Sequence, residues 1–96
     1  MTSPEAPISR YQLCHDAVAW RDVDGEVVAL DLSSGEYVTL NGAGRLLWLA
    51  LDEPVSVDDL AQLLVKSFGI SREQGIADCL TFLSDLEGRS LVASAE

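Results

Sequence analysis

The residues of this chain that could do chemistry are few and scattered. Its single histidine, His15, stands beside Cys14, and a second cysteine, Cys79, lies far along the sequence. A thiol next to an imidazole suggests an activated nucleophile, but side chains adjacent in sequence seldom reach the geometry that nucleophilic catalysis requires. Two separated cysteines and one histidine are too few ligands for a closed zinc site. Asp22-x-Asp24-Gly25 has the beginning of a calcium loop, yet the later acidic ligands are missing at that spacing. Gly42-x-Gly44 precedes a helical stretch without the third glycine of a nucleotide-binding turn, and reads as close packing at a helix start. No Ser-His-Asp set can be assembled. The sequence predicts no catalytic residue, no metal and no cofactor.

The bulk properties point the same way. Ninety-six residues suggest one domain, and 48% hydrophobic residues suffice for a core without disulfides or metal. Sixteen acidic against six basic residues give a net charge of −10, which disfavours nucleic acid and anionic membranes as partners. The longest apolar run, Leu46–Leu51, is too short to span a bilayer. The start, MTSPEAPISR, lacks the basic and apolar segments of a signal peptide. A soluble, cytoplasmic protein is expected.

The elements that must position any site read clearly from residue 17 onward. Ala17–Val23 predicts a strand, Asp24-Gly25 a two-residue hairpin turn that tolerates positive φ, and Glu26–Leu32 a second strand. On that strand Val28, Leu30 and Leu32 take one face, and Val27, Ala29 and Asp31 the other. Ser33-Ser34-Gly35 turns the chain again into a third strand, Glu36–Leu40. Two short turns make a meander, so the first and third strands are both edges. From Asn41 the period becomes helical. Asn41 can cap a helix ending before Asp52-Glu53-Pro54; Ser56-Val57-Asp58-Asp59 opens a second, which Gly69 stops; Ser71-x-x-Gln74 opens a third, running to about Glu87 and ending at Gly88. Ser90-Leu91-Val92 can add a short extended tail. Residues 1–15, with their prolines and serines, are expected to form a flexible arm, and residues 16–93 the folded domain. Trp48, Leu60 and Leu63 are assigned to the core.

The third helix has an unusually wide apolar arc. Ile76, Leu80 and Leu83 make one sector, and Cys79, Phe82 and Leu86 an adjoining one. Periodicity leaves open whether the surplus sector is core or one wall of a groove. Helices two and three also have the outline of a helix-turn-helix. The would-be reading helix, however, carries Glu73, Asp78, Asp85 and Glu87 against Arg72 and Arg89, the wrong sign for phosphate contacts.

These pieces, in their order and spacing, resemble the PqqD family of leader-peptide recognition elements. The likeness covers roughly Ala17 to Val92. It rests on DGEVVALD, on the strand end Y-V-T-L-N, on G-x-x-L-W at Gly44–Trp48 and on D-x-x-x-F-L-x-x-L at Asp78–Leu86. The resemblance implies an α+β fold: a three-stranded antiparallel meander followed by three helices, winged helix-turn-helix-like. It also implies a non-catalytic peptide chaperone, most similar to the standalone leader-binding proteins of lasso-peptide biosynthesis. Such a protein takes the leader of a ribosomally made precursor as an added strand and presents it to a leader protease and a cyclase, or to another modifying enzyme. The alternatives are a PqqD-type chaperone for a radical enzyme and a winged-helix DNA-binding regulator.

The same resemblance implies where the leader would lie. Backbone groups of Glu36, Tyr37, Val38, Thr39 and Leu40 would pair with it. Tyr37, Val38 and Thr39 on the strand, with Cys79, Phe82 and Leu86 on the third helix, are the expected groove wall. Asp78 and Asp85 are placed to meet basic leader residues.

Overall fold

Turn chemistry and capping dictate most of the architecture. A computed structural model of the protein describes residues 9–95. Its elements in chain order are β1 (Arg10–Leu13), β2 (Val18–Val23), β3 (Glu26–Asp31), β4 (Tyr37–Leu40), α1 (Gly42–Ala50), β5 (Val55–Ser56), α2 (Val57–Phe68), α3 (Arg72–Gly88) and β6 (Val92–Ser94). Asp24 and Gly25 have φ of 53° and 81°, the positive values a tight hairpin turn demands, and they join β2 to β3. The Ser56 hydroxyl accepts from the Asp59 amide at 3.1 Å and the Ser71 hydroxyl from the Gln74 amide at 3.1 Å, capping α2 and α3. Gly69, at φ 67°, closes α2 in the left-handed conformation. Asn41 occupies the N-cap position of α1 with an extended backbone, but its side chain makes no capping bond.

The strands form two three-stranded antiparallel sheets. One is the expected meander, in the order β2-β3-β4. The other, in the order β5-β1-β6, is built from segments far apart in the chain. In it Tyr11 faces both Val55 and Ser94. The expected flexible arm over residues 1–15 is therefore corrected: Arg10–Leu13 is a strand, held by ladder bonds on both sides and by Leu13, which is buried. The Ala95 amide donates to the Arg10 carbonyl at 2.8 Å, continuing the pairing past β6. Residues 1–8 of that expected arm lie outside the described residues.

The core sits between the helices and the inner faces of both sheets. Trp48, Leu51, Leu60, Leu64, Leu86 and Leu91 are fully enclosed. Leu63, expected there, is half-buried and packs against them. The rings of Trp48 and Trp20 meet edge to face, with centroids 6.2 Å apart and planes at 82°. On β3, Val27, Ala29 and Asp31 turn inward. On α3 the buried stripe is Gly75, Cys79, Leu83 and Leu86. Gly75 lets α2 and α3 approach closely: a Cβ there would lie 3.1 Å from the Ala61 carbonyl oxygen.

Candidate functional site at an open sheet edge

The turn before β4 is built by one carboxylate. Asp31, buried at the end of β3, accepts from the Ser33 and Ser34 amides at 3.0 and 3.3 Å. Gly35, at φ 79°, sends its amide back to the Asp31 carbonyl at 2.8 Å. The Asp31 amide donates to the Glu36 carbonyl at 2.9 Å, which fixes the register. Ala29 then faces Val38 and Val27 faces Leu40. The Glu36 amide donates to the Ser34 hydroxyl at 3.2 Å; because bonded and non-bonded pairs alternate in an antiparallel ladder, the Glu36 carbonyl and the backbone groups of Val38 and Leu40 are spent on β3. The N–H and C=O groups of Tyr37 and Thr39 point away from it. Among the described residues no strand lies on that side, since β4 ends the sheet and the C-terminal strand is committed to β1.

The inner side of this edge meets α3 at Gly44. A Cβ on Gly44 would lie 3.2 Å from Leu40 Cδ2 and 3.7 Å from Phe82 Cε1. Glycine thus lets Leu40 and Phe82 close onto the first turn of α1, at the floor of the candidate cleft between β4 and α3. Val38, Leu40 and Phe82 are half-buried there, while Glu36, Tyr37 and Thr39 are exposed. At 100° per residue α3 carries Asp78, Phe82 and Asp85 on this flank; the two carboxylates are exposed. Asp78 accepts from the Gln74 side-chain amide at 2.7 Å, and Asp85 pairs with Arg89 at 3.5 Å.

Two nominated wall residues go elsewhere. Cys79 and Leu86 are 0% and 1% exposed and belong to the core. They lie one helical step inward of Phe82, on the stripe that packs against the rest of the fold. Burial, with the Asp78 charge adding to it, pushes the Cys79 thiol up to about 11, so it stays protonated and poorly nucleophilic at neutral pH. Leu80, by contrast, is half exposed on the opposite flank. Gly44, read from the sequence as close packing at a helix start and as the first residue of G-x-x-L-W, does pack closely, against Leu40 and Phe82; periodicity did not mark it as part of the site.

The remaining chemical candidates are held in structural contacts. His15 Nε2 lies 3.2 Å from Asp52 Oδ1. Arg45 grips Asp22 with two bonds, from Nε to Oδ1 at 2.8 Å and from Nη2 to Oδ2 at 2.6 Å, tying α1 to β2. The Arg45 hydrogen bond, reinforced by its charge, holds the Asp22 carboxyl below the usual carboxylate range. Asp24 and Gly25 form the hairpin turn. Among the described residues no group of three or more His, Cys, Asp or Glu is arranged to hold a metal ion, and no helix is long and apolar enough to cross a membrane. On the helix-turn-helix pair, Arg72 is engaged by Asp58 at 2.8 Å and Arg89 by Asp85.

These features define the class: a small α+β domain whose second sheet ends in a vacant edge beside a helix. The family model for coenzyme PQQ synthesis protein D (PqqD) matches residues 26–92, and the chain belongs to that family. Its fold is similar to two solved structures. One is TbiB1 in complex with the TbiA(beta) leader peptide, with a TM-score of 0.79 and 26% identity, covering 88% of this chain and 98% of that one. The other is a lasso peptide synthetase B1 complexed with the leader peptide, with a TM-score of 0.75 and 25% identity, covering 86% and 96%. No curated protein sequence matches the chain.

Proposed function

We propose that the protein is a non-catalytic, cytoplasmic carrier for the leader of a ribosomally synthesised precursor peptide, of the lasso-peptide type. The leader adds as a fourth strand beside β4 and is presented to a leader peptidase and a cyclase. The observation that carries this reading is the outer edge of β4, which no other described strand pairs, the C-terminal strand β6 being paired with β1. The two similar structures, each a complex with a leader peptide, support it. The family description by itself fits equally a carrier serving a radical enzyme; the two structural likenesses favour the lasso type.

The edge sets what each residue does. Tyr37 and Thr39 offer two N–H and two C=O groups, which read no sequence. Four such bonds contribute about 2–6 kcal/mol net. A micromolar complex needs about 8 kcal/mol, and ordering the leader costs more. Apolar leader side chains must therefore be buried against Val38, Leu40 and Phe82, over Gly44. Asp78, Asp85 and Glu36 favour a leader with basic residues flanking that apolar anchor.

The test is calorimetry with the precursor's leader. Phe82→Ala should weaken binding at least about tenfold while the circular dichroism of the folded protein is retained. Unchanged affinity in a folded Phe82→Ala protein removes Phe82 from the cleft. Equal amide-exchange protection of Tyr37 and Thr39 with and without leader sinks the added-strand reading.

A further inference from the structure

Among the described residues two that are polar or charged lie buried. Ser56 caps α2; the other is Asp31, 6% exposed at the end of β3. Its use is visible in the amides that follow it. Five successive backbone N–H groups, from Leu32 to Glu36, each find an acceptor within the meander or at its start. Leu32 donates to the Ala17 carbonyl at 3.0 Å, Ser33 and Ser34 to Asp31 Oδ1 at 3.0 and 3.3 Å, Gly35 to the Asp31 carbonyl at 2.8 Å, and Glu36 to the Ser34 hydroxyl at 3.2 Å. Three of the five end on Asp31, whose own amide holds the Glu36 carbonyl at 2.9 Å. The other end of β4 has no such device: Asn41 precedes α1 without a side-chain capping bond, and Gly42 follows at φ 52°. Strand β4 itself is four residues long and pairs on one side.

We propose that Asp31 is a positioning residue for the leader: by holding the turn over residues 32–36 it keeps β4 extended and in phase before the leader arrives. The inference rests on the reading of β4 as the leader's docking edge. A short strand with one partner frays unless something else orders it. Where the edge is frayed, a leader must order β4 as well as itself, and its apparent affinity falls with the fraction of protein whose edge is formed. With the turn held, the Tyr37 and Thr39 groups face outward in the empty protein and only the guest is left to order. The carboxylate suits the task because one charged oxygen accepts two successive amides. Asp31 is buried under the turn and acts through it, not on the leader. The same bonds set where pairing stops. Gly35, the next residue in phase with Tyr37 and Thr39, turns its amide back to Asp31, so a guest strand meets its last free N–H at Tyr37 and leaves the sheet there.

The test uses the full chain and the precursor's leader, with amide exchange and calorimetry on each variant. Asp31→Ala removes the acceptor. In the free protein the Val38 and Leu40 amides should then exchange at least about tenfold faster, while those of Ala19 and Arg21, on β2 opposite β3, keep their protection. Leader affinity should fall at least about tenfold, and saturating leader should restore protection at Val38 and Leu40. Asp31→Asn leaves an oxygen where both amides are accepted and should stay within about threefold of the unaltered affinity. Gly35→Ala strains a position at φ 79° that has open space around it and should move both readouts the same way, by less; it decides the matter if Asp31→Ala does not fold. Unchanged affinity in the folded variants overturns the inference. So does a loss of protection spread evenly over β2, β3 and β4, which would make Asp31 a general stabiliser, and so does Asp31→Asn binding as weakly as Asp31→Ala. If the unaltered protein binds no leader, the carrier reading falls and the positioning role with it, even where exchange at Val38 and Leu40 responds as expected.

Discussion

The two sheets divide the labour of the molecule. The β5-β1-β6 sheet is made of three short strands from the beginning, middle and end of the chain, and its central strand is paired on both sides. It clasps the chain's distant segments together. The β2-β3-β4 sheet is made of consecutive strands joined by tight turns. It leaves the outer edges of β2 and β4 and a whole face without partners among the described residues. Strands that need distant segments are placed to hold the fold, and strands that make themselves locally are free to be exposed. An open edge is ordinarily an aggregation hazard. Here β4 is only four residues long and the chain carries ten net negative charges, both of which mitigate that risk.

Four experiments break or sharpen this contrast. The largest effect is expected in the clasp. Leu13→Ala empties a 3%-exposed position on β1 and should cost about 2–5 kcal/mol in urea unfolding, while the leader affinity of the fraction that remains folded is unaltered. Next come two prolines one residue apart on β4. Val38→Pro removes a ladder bond to β3 and should destabilise the fold by about 2 kcal/mol. Thr39→Pro removes only an outward N–H, a position where edge strands accept proline; it should cost under about 1 kcal/mol of stability but weaken leader binding about tenfold. Equal stabilities for the two proline variants would mean that the assigned direction of the β4 backbone groups is wrong.

The two smaller effects are read from pH. The folded Cys79 thiol titrates near 11 against a reference of 9.0. A raised pKa contributes stability that is complete below the unfolded value and is lost as pH rises toward the folded one. Stability should thus fall between about pH 9 and 11 in the unaltered protein, and less steeply in Cys79→Ala, by urea titration at each pH. Asp22 has the opposite sign. Its depressed folded pKa contributes stability that is present above the reference value of 3.8 and is lost as pH falls through the folded value. Asp22→Asn should therefore differ from the unaltered protein at neutral pH and converge with it in acid. Both side chains are about a third exposed, 34% for Arg45 and 30% for Asp22, so solvent screens the pair and this is the smallest of the four effects.

How much of this was legible in the sequence follows the same division. Asp24-Gly25, Ser56, Gly69 and Ser71 are local signals, and each sits where a turn, cap or stop was expected. Strand β1 was not legible because nothing within Arg10–Leu13 demands a strand; its order comes from Val55, Ser56 and residues 92–94, which no local pattern can bring to it. The cleft was half legible. The wide arc of α3 was visible, but a 3.6-residue period cannot say which edge of an arc faces inward. Packing against the rest of the fold decided it, enclosing Cys79, Leu83 and Leu86 and leaving Phe82 at the margin. Alternation put Val28 and Leu30 on one face of β3, while the absence of a covering layer over that face is a property of the whole topology.

The outward-facing backbone of Tyr37 and Thr39 also imposes parity on whatever binds. A guest chain can shift along β4 only by two residues at a time without exchanging its buried and solvent-facing side chains. A precursor could therefore gain or lose residues in pairs inside its docking segment and still fit, whereas a single insertion would turn every anchor outward. The spacing between anchor and cleavage point would then be counted from one fixed phase.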